Sequence, residues 1–255
     1  MSVRSAFTGM IDKQKSPWSK PWDFLRQYLR SEDKVAMVTR PVSQVMDGLQ
    51  ALLRPFLKEH GFRGRGRHFN SRTHDGLTHV ITFQMGRYDP PGTVHYPPFT
   101  ENLYGKFTLN LGVFVPEAHA LFLGKEPGLI IAESDCALRA RLGELGPEQD
   151  DLWWPVQDDE VVVKDITTRL VHDGFPFFAQ FESRDLILNN SDFAQKERFA
   201  LNGRLTRAAI LHGRGDFAGA RDLMVQQVSE AERTGSPQHA SHVRKLATKL
   251  GLAPI

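Results

Sequence analysis

Short segments in the middle of the chain alternate apolar with polar residues, the pattern of a half-buried β-strand. They are Thr78–Gln84, Lys106–Phe114 and Cys136–Leu142, and Phe62–Asn70 supplies a fourth strand before them. The turn sequence His74-Asp75-Gly76 joins the first two strands as a hairpin. Connections without long helical crossovers favour an antiparallel meander. The pattern therefore predicts a four-stranded antiparallel sheet.

Helices flank these strands. Apolar residues at spacings of three and four predict a helix over Pro41–His60, which ends at Gly61. A second helix is predicted over Asp159–His172, and short helices over Phe175–Phe181 and Ser183–Leu188. Helices beside one antiparallel sheet define an α+β domain, so we predict such a domain over residues 41–190, with its helices on one face of the sheet.

Two further segments frame this domain. Residues 1–40 are predicted to be an N-terminal extension with a short amphipathic helix around 21–30. Residues 191–255 are predicted to be a helical segment with helices that end near Arg214, Arg233 and Leu250. Its first two helices resemble a single tetratricopeptide-like hairpin. Since about three such units are needed to bury their own faces, we expect a local hairpin that docks on the sheet domain.

Composition excludes several classes of protein. The net charge is only +2 and no stretch reaches the length of a membrane span, so neither nucleic acid nor a membrane is the expected partner. The single cysteine excludes an intramolecular disulfide and favours a reduced, cytoplasmic setting. Charge is nevertheless uneven, because residues 131–190 hold thirteen acidic and five basic residues.

The polar faces of the predicted strands carry the candidate site. Alternation places Gln84, Asn110, Arg139 and Arg141 on faces that need not be core. If these faces coincide, two guanidinium groups stand beside two amides and suit a carboxylate, a phosphate or an acidic partner helix. The competing interpretation is structural: the arginines are solvated, or they pair with the acidic segment 150–160 of the same chain.

The aromatic pair Trp153-Trp154 is a second candidate, because adjacent side chains point apart and one ring could face a groove. The sequence gives little support for a catalytic site. Cys136 lies among aliphatic residues as a buried thiol, the ten histidines show no ligand grouping, and the sequence holds no phosphate loop or dinucleotide fingerprint. We therefore predict no catalytic residue, no metal and no cofactor.

The segment 58–74 is the strongest nucleic-acid signal, with Lys58 and four arginines and with Phe62 and Phe69 as candidates to stack on bases. A solvated hairpin edge whose charges discourage aggregation explains the same pattern. Nucleic acid is thus the less favoured alternative.

The order of the motifs resembles a family of uncharacterised bacterial domains, DUF4304. The motifs are Phe62-Arg63 to Phe69, Val80–Gln84, Phe107–Val113, Cys136–Gly143 and Trp153-Trp154. The resemblance covers about residues 43–188 and implies one compact domain. The family has no established activity, so the resemblance implies no catalytic residue.

These observations favour a non-catalytic binding module that uses the polar sheet face to hold another protein. Toxin immunity is one version of such a role. The alternative is an enzyme or binder that acts on an anionic small molecule through Arg139 and Arg141. The sequence does not distinguish oligomeric states.

Overall fold

The computed structural model describes residues 41–86, 102–157, 160–190 and 202–255, all within one compact unit, Thr39–Ile255. The helix predicted around 21–30 lies outside the described residues, as does the first part of the helix predicted from 191.

The first described helix, α1, spans Val42–Glu59 and confirms the prediction made from apolar spacing. Its buried stripe includes Leu49, Leu53 and Phe56. Gly61, which follows the C-cap residue His60, terminates the helix, and its φ of +84° lies in the left-handed region that glycine adopts without strain.

Among the described residues, the sheet has six strands and not the predicted four. Five of them are hydrogen-bonded in chain order, and β6 pairs with the start of β4 beyond the end of β5; every pairing is antiparallel. The strands are β1 (Arg63–Arg65), β2 (His68–Arg72), β3 (Thr78–Met85), β4 (Lys106–Phe114), β5 (Leu138–Arg141) and β6 (Trp154–Pro155). The α+β class and the meander are therefore as predicted.

Two strands are added to the predicted four: β6 is one of them, and the other comes from Gly66. The sequence predicts one strand over Phe62–Asn70, but Gly66 has a φ of +58° and turns the chain back on itself, so that Arg65 pairs with His68. Gly64 allows the Phe69 ring to lie close to the backbone of β1, since a Cβ at Gly64 would be 2.4 Å from that ring.

The last predicted strand is also shorter than expected. Cys136–Leu142 yields only β5, because a 3-10 turn at Glu133–Asp135 precedes it and a short helix, α3 (Leu142–Leu145), follows it. The alternating pattern correctly placed Arg139 and Arg141 on one face of a strand. The 3-10 turn has no sequence pattern of its own, so it was not predicted.

Helices cover one face of the sheet. This face carries Phe107, Leu109, Leu111 and Val113 of β4, all fully buried. Helix α4 (Glu160–Arg169) continues through a wide π-type turn, Leu170–Gly174, into α5 (Phe175–Ala179), and α6 (Arg184–Asn189) follows. The helix predicted over Asp159–His172 therefore does not stop at Gly174, and this glycine lets the continuing helical path pass close to Leu111.

The opposite face is only partly covered. Helix α2 (Pro116–Phe122) and the connection that follows it fold over part of this face. Val80, Phe114, Ile131 and Cys136 form a small apolar cluster there.

The C-terminal segment contains α7 (Gly203–Gly213), α8 (Phe217–Arg233) and α9 (Pro237–Lys249). Asp216 caps α8 by accepting a hydrogen bond from the Gly219 N–H at 2.9 Å. Lys249 binds the C-terminal end of α2 through the carbonyl oxygens of Ala120 and Leu121, at 2.8 and 2.7 Å. Across the described ranges, no helix combines the length and apolarity that crossing a membrane requires.

A buried histidine on the helix-covered face predicts acid sensitivity. His79 stacks on Phe178, with ring centroids 4.6 Å apart, and burial lowers its pKa to about 4. As the pH falls from 6.5 towards 4, the unfolded chain binds a proton that the folded chain does not. We therefore expect the folded state to lose up to about 3 kcal/mol over this interval.

The measurement is urea unfolding at pH 7.0 and at pH 4.5. His79→Gln keeps a donor for the Phe181 carbonyl but cannot titrate, so it should lose less stability on acidification than the wild type. His242→Gln, at an exposed position on α9, serves as the control and should follow the wild type. Equal acid loss in His79→Gln and the wild type would contradict this assignment.

Candidate functional site

The strand register places the predicted polar residues on one face of the sheet. Asn110 lies between Thr82 of β3 and Arg141 of β5 in one cross-strand row, and Gly112 pairs with Arg139 in the next row. Gln84 is on the same face and its Oε1 accepts a hydrogen bond from the Asn110 Nδ2, at 2.6 Å. This is the side that the helices leave partly uncovered.

The four residues line one open cleft of about 520 Å³. The 3-10 turn forms one wall, α2 contributes His119, and α7 contributes Thr206. A shallower groove of about 370 Å³ continues the same face towards β2, where Arg67 and His68 line it. Gln84, Asn110, Glu133 and Ser134 belong to both, so the polar surface crosses the sheet from β5 to β2.

The turn that forms the wall is fixed to the sheet by an asparagine. The side chain of Asn70 donates to the Ile131 carbonyl at 2.9 Å and accepts from the Ile131 N–H at 2.8 Å. This pair of bonds ties the segment before Glu133 to β2. The wall of the cleft is therefore held by tertiary contacts, although it contains no long regular element.

Both arginines of the cleft are paired with acids of the same chain. Arg139 binds Glu133, whose side chain is only 11% exposed, and this hydrogen bond raises the pKa of the Arg139 guanidinium. Arg141 binds Asp151 in the acidic segment, as the structural interpretation expects. The positive charge that made the cleft attractive to anions is thus already compensated.

The two tryptophans separate as adjacent residues should. Trp153 lies under the Arg141 guanidinium, whose central carbon is 5.4 Å from the centre of the ring. Trp154 is 4% exposed, packs against Phe107 on the helix-covered face and donates its Nε1–H to Asp165 at 2.7 Å. Only Trp153 is next to the cleft, and Trp154 belongs to the core.

The cleft shows little capacity for covalent chemistry. Cys136 contributes to its lining, but burial, followed by the charges of Glu133 and Asp135, raises the pKa of its thiol well above the ordinary value. A thiol that stays protonated is a poor nucleophile. Within the described ranges, no cluster of three or more His, Cys, Asp or Glu side chains could hold a metal ion.

Two side chains that line the cleft have buried polar atoms without partners. The part of the chain that the structure describes supplies no hydrogen-bond partner to either ring nitrogen of His119 or to the Thr206 hydroxyl, nor to the Thr108 hydroxyl and the Trp153 Nε1 beside the cleft. His119 and Thr206 line the cleft directly, and Thr108 is the cross-strand neighbour of Gln84. Such groups each cost about 1–3 kcal/mol when unsatisfied, so their clustering indicates a site that favours additional hydrogen-bonding groups.

The residues that the tertiary fold brings to the cleft were not predicted from the sequence. His119 and Thr206 come from helices that are far apart in sequence, and neither has a local pattern that marks it. Glu133 could have been suspected from its position six residues before Arg139 in an acidic segment. Its role depends on the 3-10 turn, which the sequence does not predict.

The fold and the cleft together define an α+β domain with a polar cleft on one sheet face. The sequence profile described as "Domain of unknown function (DUF4304)" matches residues 53–180, which is half of the chain. The chain therefore belongs to the DUF4304 family, as its motif order indicates. The matched residues include β1 to β6, while α7 to α9 lie beyond them. None of the curated proteins and none of the solved structures matches the chain.

Proposed function

We propose that the protein is a non-catalytic binding module, and that its partner is another protein that places an extended segment in the polar cleft. The observation that carries this proposal is the contrast between charged and neutral groups in the cleft. The arginines are compensated within the chain, whereas the His119 ring nitrogens and the Thr206 hydroxyl, which line the cleft, have no hydrogen-bond partner among the described residues.

The chemistry favours a neutral, multiply hydrogen-bonding ligand. The Gln84–Asn110 bond uses the Gln84 amide oxygen and one N–H of Asn110, so the Gln84 amide NH2 group can still donate and the Asn110 amide oxygen can still accept. Peptide backbone and Asn, Gln, Ser or Thr side chains offer both donors and acceptors. A segment of this kind satisfies the cleft without having to displace an ion pair.

The shape supports the same proposal. The cleft is open and continues as a groove towards β2, across strands that are about 4.8 Å apart. An extended chain fits an elongated open groove better than a compact anion does. A toxin-immunity protein, which neutralises a toxin by occupying it, is one kind of module that this proposal covers.

The test should use a variant that blocks the cleft without removing a buried interaction. Arg139→Ala is unsuitable because it leaves Glu133 buried and uncompensated. Ser134 is exposed at the mouth of both grooves, so Ser134→Tyr narrows them from outside. Leu129→Tyr, at a fully exposed position outside the cleft, is the matched control.

Short linear peptides selected from a random phage-displayed library against the wild type provide the probe. We expect the selected peptides to bind Ser134→Tyr at least about tenfold more weakly, and Leu129→Tyr with unchanged affinity. Both variants should unfold at the wild-type temperature. Failure to select any peptide, or equal binding to both variants, would contradict the proposal. Competition by glutamate or inorganic phosphate would instead support the anion-binding alternative.

A further inference from the structure

The corner formed by α1, β1 and β2 carries a concentration of positive charge. Residues 54–72 hold six basic residues and one acidic residue, Glu59. The basic residues are Arg54, Lys58, Arg63, Arg65, Arg67 and Arg72, called the basic corner below. All are exposed except the half-buried Arg67.

This charge has no counterpart in the described part of the chain. No carboxylate there lies within 4.0 Å of any cation of the basic corner. Elsewhere, seven described arginines are paired with carboxylates: Arg139, Arg141, Arg169, Arg184, Arg214, Arg233 and Arg244. Seven arginines elsewhere in the described chain are thus compensated, whereas the described residues supply no carboxylate to the basic corner.

Two of these arginines are held in place by backbone contacts. Arg54 lies over the Phe69 ring at 5.2 Å and donates to the Gly64 carbonyl at 3.1 Å. Arg63 donates to the carbonyls of Lys58 and Phe62, each at 3.2 Å. Such contacts orient the guanidinium groups and leave their remaining N–H groups available.

The corner is also an edge of the sheet. In the described sheet β1 pairs only with β2, but the Gly64 carbonyl, which points away from β2, already accepts a hydrogen bond from Arg54, so a partner meets the side chains at this edge and not its backbone. Arg63 and Arg65 stand at alternate positions of this strand and therefore share one side of it. An extended segment with carboxylates at every second position would match the spacing of these two side chains.

The aromatic residues of the corner argue against nucleic acid. Phe62 and Phe69 are 4% and 1% exposed, so neither can stack on a base, contrary to the role considered from the sequence. What remains is a cluster of exposed arginines at this corner of the sheet, and carboxylates of an extended chain fit it directly.

We infer that the basic corner is a second docking site, and that its occupant is an acidic, extended protein segment whose carboxylates pair with Arg63 and Arg65. This inference does not depend on the cleft proposal, since its site and its ligand charge are different. The shallower groove at Arg67 and His68 brings the two sites to the same face, so one partner could occupy both.

The experiment measures binding of two fluorescein-labelled peptides with the same composition. One alternates Glu and Thr, and the other carries all its Glu residues in one block. The wild type should bind the alternating peptide several-fold more tightly, because only that peptide matches the strand period. A labelled DNA duplex is the third probe and should bind more weakly than the alternating peptide.

Charge reversal locates the site. Arg63→Glu with Arg65→Glu should weaken binding of the alternating peptide at least about tenfold. Arg221→Glu with Lys245→Glu makes the same change in net charge on α8 and α9 and should alter the affinity by less than about twofold. Equal loss in the two double variants, equal binding of the two peptides, or tighter binding of the DNA would each overturn the inference.

Discussion

Gly112→Ala is expected to lower the free energy of unfolding by about 3 kcal/mol and to disrupt the cleft. Gly112 lies on the cleft side of β4, where a Cβ would come within 2.6 Å of the Cys136 Sγ and 2.8 Å of its Cβ. These atoms belong to a short, buried side chain next to the 3-10 turn. The added methyl group must therefore push the turn away from the sheet, together with Glu133.

Urea unfolding monitored by circular dichroism measures the loss. Gly128→Ala is the control, because its added methyl group meets only the Ile130 carbonyl, at 3.4 Å, and should change stability by no more than about 0.5 kcal/mol. Adding Cys136→Ala to Gly112→Ala should recover about 1 kcal/mol, since it removes the nearer clashing atom. A Gly112→Ala protein as stable as the wild type would show that the turn does not pack on β4.

Arg184→Met is expected to cost about 2–3 kcal/mol at neutral pH. The Arg184 side chain, 15% exposed, donates its Nε–H to Glu117 at 2.6 Å and also binds the Asp75 carbonyl. It thereby joins the β2–β3 turn, α2 and α6. Methionine keeps the apolar stem but leaves two partly buried carboxylates, Asp75 and Glu117, without their cation.

The pH dependence of the stability lost in Arg184→Met tests whether the Asp75 carboxylate contributes to that loss. Hydrogen bonding from the Arg184 backbone N–H, with the guanidinium charge, holds the pKa of Asp75 below its ordinary value. Arg184→Met keeps the backbone N–H and removes only the guanidinium's share of this stabilisation, which is present above about pH 4 and is lost as Asp75 protonates at lower pH. The deficit of Arg184→Met should therefore shrink below about pH 4.

Unfolding experiments at pH 7 and pH 3.5 test this expectation. Arg233→Met, which removes an exposed pair with Glu230, is the control and should unfold like the wild type at either pH. A deficit in Arg184→Met that is small at pH 7, or that grows in acid, would be inconsistent with a supporting ion-pair network.

The sheet could be predicted from sequence where its strands alternate clearly. Period-two patterns located β3 and β4, and their parity placed Gln84 and Asn110 on the correct face. The first hairpin was missed because β1 has only three residues, and Gly66 determines the reversal through its backbone angle rather than through any hydrophobic pattern. Short strands leave too few positions for a period to be recognised.

The cleft itself could be predicted only in part. The side of the cleft that the sheet forms depends on which residues share one face of each strand, and the alternating pattern in the sequence shows this. Its walls depend on the Asn70 bond to Ile131 and on helices α2 and α7, which meet only in the folded chain. Pairing of Arg139 with Glu133 also changed the expected ligand, because residue type alone does not show whether a guanidinium is already compensated.

The most direct test of the cleft as a binding site is the ratio of two affinities for one selected peptide, measured on Ser134→Tyr and Leu129→Tyr. We expect the dissociation constant for Ser134→Tyr to be at least about tenfold larger, with both proteins equally stable. A ratio near one would show that the peptide binds elsewhere and that the polar cleft is not the site.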